Sequence, residues 1–127
     1  MTTAKRRRPS TLKTASGRSK RGRTKWGFLV IWQLQVRAGM EKRFEKIYGA
    51  QGDWVQLFTR DHAYIATELL REPNSTSYLT LDYWTSKAAY DAFRKQHRAE
   101  YKAIDLMCAG MTTDECEVGR FVKVDSE

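Results

Sequence analysis

The stretch that decides the fold is Tyr78-Leu79-Thr80-Leu81-Asp82-Tyr83-Trp84-Thr85-Ser86-Lys87-Ala88-Ala89-Tyr90-Asp91-Ala92-Phe93. Its first seven residues are β-branched, aromatic or leucine, with a single Asp, which is the composition of a strand. Leu79, Leu81 and Tyr83 alternate onto one face. Tyr78, Thr80, Asp82 and Trp84 alternate onto the other. The period then changes. Thr85 or Ser86 is placed to cap a helix, and Ala89, Phe93 and then Gln96 or His97 recur at helical spacing. Trp84 therefore falls at a strand-to-helix corner, where a side chain reaches a cleft between sheet and helix. Chemistry is expected there first.

Working upstream, Tyr64 to Leu70 reads as a second strand. Ile65, Thr67 and Leu69 fall on one side, and Tyr64, Ala66, Glu68 and Leu70 on the other. Pro73-Asn74-Ser75 is a turn signal, so this strand and the opening one form a hairpin. Phe28 to Val36 is an earlier strand, with Phe28, Val30, Trp32, Leu34 and Val36 on one face. Met40, Phe44 and Ile47 recur at helical spacing after Gly39, with Glu41 in the first turn. Gly49 is expected to end that helix in a left-handed cap. Residues 51–58 read as a loop carrying Trp54 and Phe58. Downstream, one helix is expected from Ser86 to Ile104 or Met107, stopped by Gly110. Thr112-Thr113-Asp114-Glu115 has capping-box spacing and predicts a brief helical turn. Val118 to Val124 is the last strand.

The order is β-α-β-β-α-β. It predicts an α+β, ferredoxin-like fold: a four-stranded antiparallel sheet with two helices on one face. The other face keeps apolar side chains and asks for a partner. A second copy of the chain, packed sheet to sheet about a two-fold axis, is the economical one.

Charge divides the chain. Residues 1–25 hold ten Lys or Arg and no acid. That leaves 23 − 10 = 13 Lys or Arg against 15 acids in residues 26–127, a balance of about −2. The expected organisation is a disordered basic tail over 1–25 and one folded domain over 26–127. The tail suits RNA, DNA or an anionic surface, with strongly salt-dependent binding, or is simply a solvated extension. No apolar run approaches a membrane span and no secretory signal is visible. Cys108 and Cys116 lack metal or redox spacing and read as reduced thiols, so a cytoplasmic location is expected. Nucleotide-binding, zinc and serine-hydrolase motifs are absent from the sequence.

Four segments carry a resemblance. They are Phe28-x₃-Trp32, Gly39-x₄-Phe44, Tyr48-Gly49-Ala50-Gln51-Gly52-Asp53-Trp54, and Asp82-Tyr83-Trp84-Thr85-Ser86-Lys87-Ala88-Ala89-Tyr90-x₂-Phe93. Together they resemble the antibiotic biosynthesis monooxygenase (ABM) domains of the dimeric α/β-barrel superfamily, over residues 26–124. The resemblance implies a homodimer with a pocket between sheet and helices in each subunit. It implies oxygenation of a small aromatic or lipophilic substrate by O₂ without a bound organic cofactor. The superfamily also contains haem degraders and members with no activity shown. In the haem-degrading branch a His ten residues after the Trp ligates iron; here that position is Arg94, and His97 lies a turn further on. In the quinone-forming branch an Asn lies four residues before the Trp; here it is Thr80.

The candidate catalytic residues are Trp84, His62 and Asp82. Trp84 would stack on an aromatic ring. His62, near the start of the second strand, and Asp82 are the candidate bases. Trp32, Tyr64, Tyr83, Trp54 and Phe93 are the candidate substrate-binding residues. Each has a plainer reading as core, salt-bridge or surface residue. No cofactor and no metal are expected, with haem through His97 as the alternative.

Overall fold

The computed structural model describes residues 25–124. The basic segment expected to be disordered lies outside them, Lys25 apart. The elements are β1 (Phe28–Val36), α1 (Glu41–Tyr48), α2 (Asp53–Phe58), β2 (Tyr64–Arg71), β3 (Ser77–Trp84), α3 (Lys87–Gln96), α4 (Arg98–Cys108) and β4 (Thr112–Val122). The strands form one antiparallel sheet in the order β2-β3-β1-β4. This is the ferredoxin-like arrangement expected from the strand and helix order.

The alternation read in β1 and β3 sets the layers. Phe28, Val30, Leu34, Val36, Tyr78 and Trp84 are buried beneath the helices. Leu29, Ile31, Leu79, Leu81 and Tyr83 occupy the other face and stay half-exposed. The helices supply Phe44, Trp54, Phe58 and Phe93 to the same core. Trp84 is its hub: its ring centre lies 4.8 Å from Phe93, 5.3 Å from Tyr90, 5.4 Å from Tyr64 and 5.5 Å from Phe58.

Several local expectations are corrected. Residues 53–58 are helix α2, not loop. Gly52 makes that possible: a Cβ there would stand 2.1 Å from the Ile47 carbonyl oxygen, so only glycine lets α2 start so close to α1. Gly49 is extended (φ −81°, ψ −173°) rather than left-handed. The long second helix is two helices meeting at His97. Backbone bonds still run through the bend, from the His97 amide to Phe93 and from the Tyr101 amide to His97. Residues 112–115 are strand, because β4 pairs with β1 as far as Thr112. The cap at Ser86 is present, its hydroxyl accepting from the Ala89 amide at 3.1 Å.

Two of the sheet's three register shifts reset the faces that line its helix side; the third leaves Thr113 extra near the start of β4. On β2, Tyr64 pairs with Trp84 and Ala66 with Tyr83, so Ile65 is extra. On β4, Glu117 pairs with Trp32 and Gly119 with Ile31, so Val118 is extra. Each bulge resets the parity of its strand. Tyr64 and Thr67 thus share the helix-facing side, as do Glu117 and Arg120.

Candidate active site

A cavity of about 280 Å³ lies between the helices and the sheet. Trp32, Thr67, Thr80 and Asp82 form its sheet side. Tyr48, Trp54 and Phe58 close it from α1 and α2, and Arg94, Tyr101 and Asp105 from α3 and α4. Glu115, Glu117 and Arg120 of the edge strand β4 complete the wall. The lining joins the aromatic rings of Trp32, Tyr48, Trp54, Phe58 and Tyr101 to two threonines and six charged side chains, so apolar faces and convergent polar groups meet in one concave site.

Asp82 is the centre of the polar set. It sits on the central strand β3, with Thr67 opposite it on β2. The Thr67 hydroxyl donates to Asp82 Oδ1 at 2.6 Å, and the Tyr64 hydroxyl donates to Thr67 Oγ1 at 2.7 Å. The β2 bulge is what brings Tyr64 into this file. Burial pushes the Asp82 carboxyl up from 3.8 to about 6, while the Thr67 bond pulls the other way. Burial also raises Tyr64, and it holds Tyr48 and Tyr101 far above the ordinary phenol range.

The wall facing Asp82 carries two arginines, Arg94 and Arg120, among three carboxylates, Asp105, Glu115 and Glu117. Arg94 lays its guanidinium over the Tyr101 ring, Cζ 3.8 Å from the centroid, and donates from Nη1 to the Tyr90 hydroxyl at 2.9 Å. Arg120 is held by Glu117 through two bonds of 2.8 and 3.2 Å.

Of the residues singled out in the sequence, Asp82, Trp32 and Trp54 line the cavity. Tyr64 joins through Thr67. Trp84 and Phe93 are 0% exposed and do not reach the cavity. They stand behind Phe58, which takes the lining position in front of them. Tyr83 is on the other face of the sheet, edge-on to Trp26 at 5.1 Å, its hydroxyl donating to Glu68. Strand alternation sends it there. His62 is exposed on the turn before β2 and does not line the cavity.

Arg94, Tyr101 and Asp105 form a wall that the sequence reading misses. Their signal is present in the chain, since Tyr90, Arg94, Tyr101 and Asp105 follow at spacings of four, seven and four, one helical stripe. Glu115 and Glu117 alternate regularly, but the bulge at Val118 puts Arg120 on their face out of phase, so the three carry no common signal.

A histidine-ligated haem does not fit these residues. Among the described residues no His, Cys or Met lines the cavity. His97 packs against Phe93, ring centres 4.9 Å apart, with Nδ1 3.6 Å from Glu100. Among the described residues no group of three or more His, Cys, Asp or Glu is placed to hold a metal ion. No helix among them is long and apolar enough to cross a membrane.

No family model matches the sequence, and no curated protein matches it. Solved structures do. SnoaB, a cofactor-independent oxygenase from Streptomyces nogalater, is 20% identical, with 80% of this chain and 97% of that one covered at a TM-score of 0.59. A monooxygenase from the gene ActVA-Orf6 of Streptomyces coelicolor, solved with nanaomycin D, is 12% identical, with 80% and 91% covered at 0.61. An uncharacterized NIPSNAP domain protein from Burkholderia xenovorans is 15% identical, with 76% and 94% covered at 0.58. At these identities the likeness is one of fold, and it agrees with the resemblance read from Trp32, Gly39 and the Trp84 segment. The chain has the ABM-like, ferredoxin-like α+β fold.

Proposed function

We propose that this domain is a monooxygenase of a small aromatic substrate that works without a bound organic cofactor, with Asp82 as its base. The observation that carries this reading is the Asp82 carboxylate on the wall of an aromatic cavity, raised to about 6 and bonded to Thr67. Such a group is largely ionised at neutral pH, yet is a stronger base than an ordinary carboxylate. Thr67 and Tyr64 fix its orientation. Trp32, Trp54 and Tyr101 offer ring faces and edges on which an aromatic substrate stacks.

The chemistry is that of an activated phenol or anthrone. Asp82 takes a proton from the substrate's acidic C–H or O–H, leaving an electron-rich carbanion. That carbanion passes its electrons to O₂ and forms the C–O bond. One oxygen atom stays on carbon and the other leaves as water, so R₂CH₂ + O₂ gives R₂C=O + H₂O. The substrate supplies all four electrons, and Asp82 gives up its proton at the end. The neighbour described as cofactor-independent supports this class of reaction.

The half-exposed apolar face formed by Leu29, Ile31, Leu79 and Leu81 supports a second copy of the chain as partner. Light scattering on the full chain tests that: a mass near twice 14.8 kDa is expected, and a monomer contradicts it.

Oxygen uptake on a panel of hydroxyanthrones under ¹⁸O₂ tests the activity. One labelled atom in each quinone, with uptake well above buffer, is the expected result. No uptake above buffer across the panel contradicts it.

A further inference from the structure

Arg94 lies on the cavity wall with no carboxylate in ion-pair contact among the described residues, although the Asp105 carboxylate on the same wall feels its charge. Apart from Asp105, the other charged groups there are bonded within the protein. Arg120 is clamped by Glu117 at 2.8 and 3.2 Å. Glu115 accepts from the Thr112 hydroxyl at 2.7 Å, and Asp82 from Thr67. Arg94 forms no ion pair with any carboxylate among the described residues. It uses Nη1 on the Tyr90 hydroxyl and spreads one face of its guanidinium on Tyr101. A guanidinium has five N–H donors in a planar fork, so most of its capacity is unspent. It is half-buried, so water does not surround it fully.

We infer that Arg94 is the anchor for an acidic group of the ligand, and that the cavity takes an aromatic carboxylate. This rests on the reading of the cavity as a small-molecule site, though not on oxygenation itself. The geometry gives the ligand two ends. Its carboxylate meets the Arg94 fork on the helix side, its ring lies among Trp32, Trp54 and Tyr101, and its far edge reaches Asp82 on the sheet side. The Tyr101 stack holds the guanidinium plane before the ligand arrives, which lowers the cost of ordering it. Asp105 opposes this. It follows Tyr101 by four residues on α4, lines the same cavity and forms no hydrogen bond or ion pair among the described residues; burial and Glu115 raise its pKa, while Arg94 pulls it down. As a carboxylate on the same wall it competes with the ligand for Arg94. A cationic ligand would instead use Asp105 and be repelled by Arg94, so the two residues discriminate the classes.

The test uses the full chain in 150 mM salt, with 1-hydroxy-2-naphthoate and its methyl ester as probes. Binding is read by quenching of tryptophan fluorescence, since Trp32 and Trp54 line the cavity. The acid is expected to bind about ten- to a hundredfold more tightly than the ester. Arg94→Gln is expected to erase that preference, and Arg94→Lys to keep part of it, because Lys retains the charge without the fork. Asp105→Asn is expected to tighten the acid. Thermal unfolding of each variant shows that it is folded, and Arg94→Lys carries the comparison should Arg94→Gln fail to fold. No saturable binding of the acid, equal binding of acid and ester, a preference that survives intact in both Arg94 variants, or weaker acid binding in Asp105→Asn overturns the inference. Failure to consume oxygen overturns the proposed activity but leaves this preference standing, so the two fail separately.

Discussion

The Thr67 hydroxyl stands 2.6 Å from Asp82 Oδ1, on a strand that a bulge has shifted by one residue. This one bond links the cavity's acid to Tyr64 and opposes the effect of burial on its proton affinity. Removing the donor leaves burial unopposed. Thr67→Val is therefore expected to move the Asp82 pKa above about 6. The carboxyl ¹³C shift of Asp82, followed with pH, measures this directly. A value unchanged or lowered in the variant contradicts the assignment.

The same carboxyl makes stability depend on pH. Its folded pKa of about 6 lies above the unfolded 3.8, so the folded state holds the extra proton between those values. Stability is therefore greater at pH 4 than at pH 7 for this group, and falls as pH rises through that window. The gap corresponds to roughly 3 kcal/mol at most. Asp82→Asn is expected to lack this fall and to be the more stable protein at pH 7. Urea unfolding of both proteins at pH 4.5 and 7 checks it, since other titrations cancel in the difference.

Much of this architecture is legible in the chain. The alternation in Phe28–Val36 and Ser77–Trp84 specifies which faces are buried, and the change of period after Trp84 marks the corner. Asp82, Trp32 and Trp54 are legible as site residues because an acid or an indole at such a position stands out. The rest is hidden for physical reasons. Periodicity carries no trace of a bulge, so the placement of Tyr64 beside Thr67, and of Glu117 with Arg120, is visible only in the strand pairing. Whether Trp84 faces a void or a wall depends on how far α2 approaches the sheet, which Gly52 controls from a distant part of the chain. A single break at His97 leaves the helical spacing on both sides intact, so two helices read as one.

Trp84 is predicted to act through packing. Trp84→Ala is expected to cost about 3–5 kcal/mol in unfolding free energy, because the ring is fully buried against four aromatic neighbours. Trp84→Phe is expected to lose less stability and to keep most of its substrate affinity. A folded Trp84→Phe protein with normal stability and no turnover would show a direct chemical role instead.

Gly52 is predicted to be intolerant of any side chain. Gly52→Ala drives a Cβ to within 2.1 Å of the Ile47 carbonyl oxygen, and backbone must move to relieve it. A loss of about 2 kcal/mol or more is expected, with weaker ligand binding because Trp54 and Phe58 ride on α2. Thermal unfolding and fluorescence titration read the two effects together. Wild-type behaviour in both contradicts the role given to this close approach.

Haemin titration is expected to give no one-to-one Soret shift that depends on His97, whose ring lies on Phe93 and outside the cavity. A sharp shift that vanishes in His97→Ala would contradict this placement.

The role of Asp82 as the base is decided by the oxygen-uptake rate of Asp82→Asn beside the unaltered chain, on a hydroxyanthrone that the latter turns over. Asn keeps the shape and the acceptor for Thr67 but cannot take a proton. The expected rate is lower by about 10²–10⁴-fold, the usual contribution of a general base, with the ligand still bound. A variant that consumes oxygen at the unaltered rate would show that Asp82 is not the base and that the chemistry of this cavity lies elsewhere.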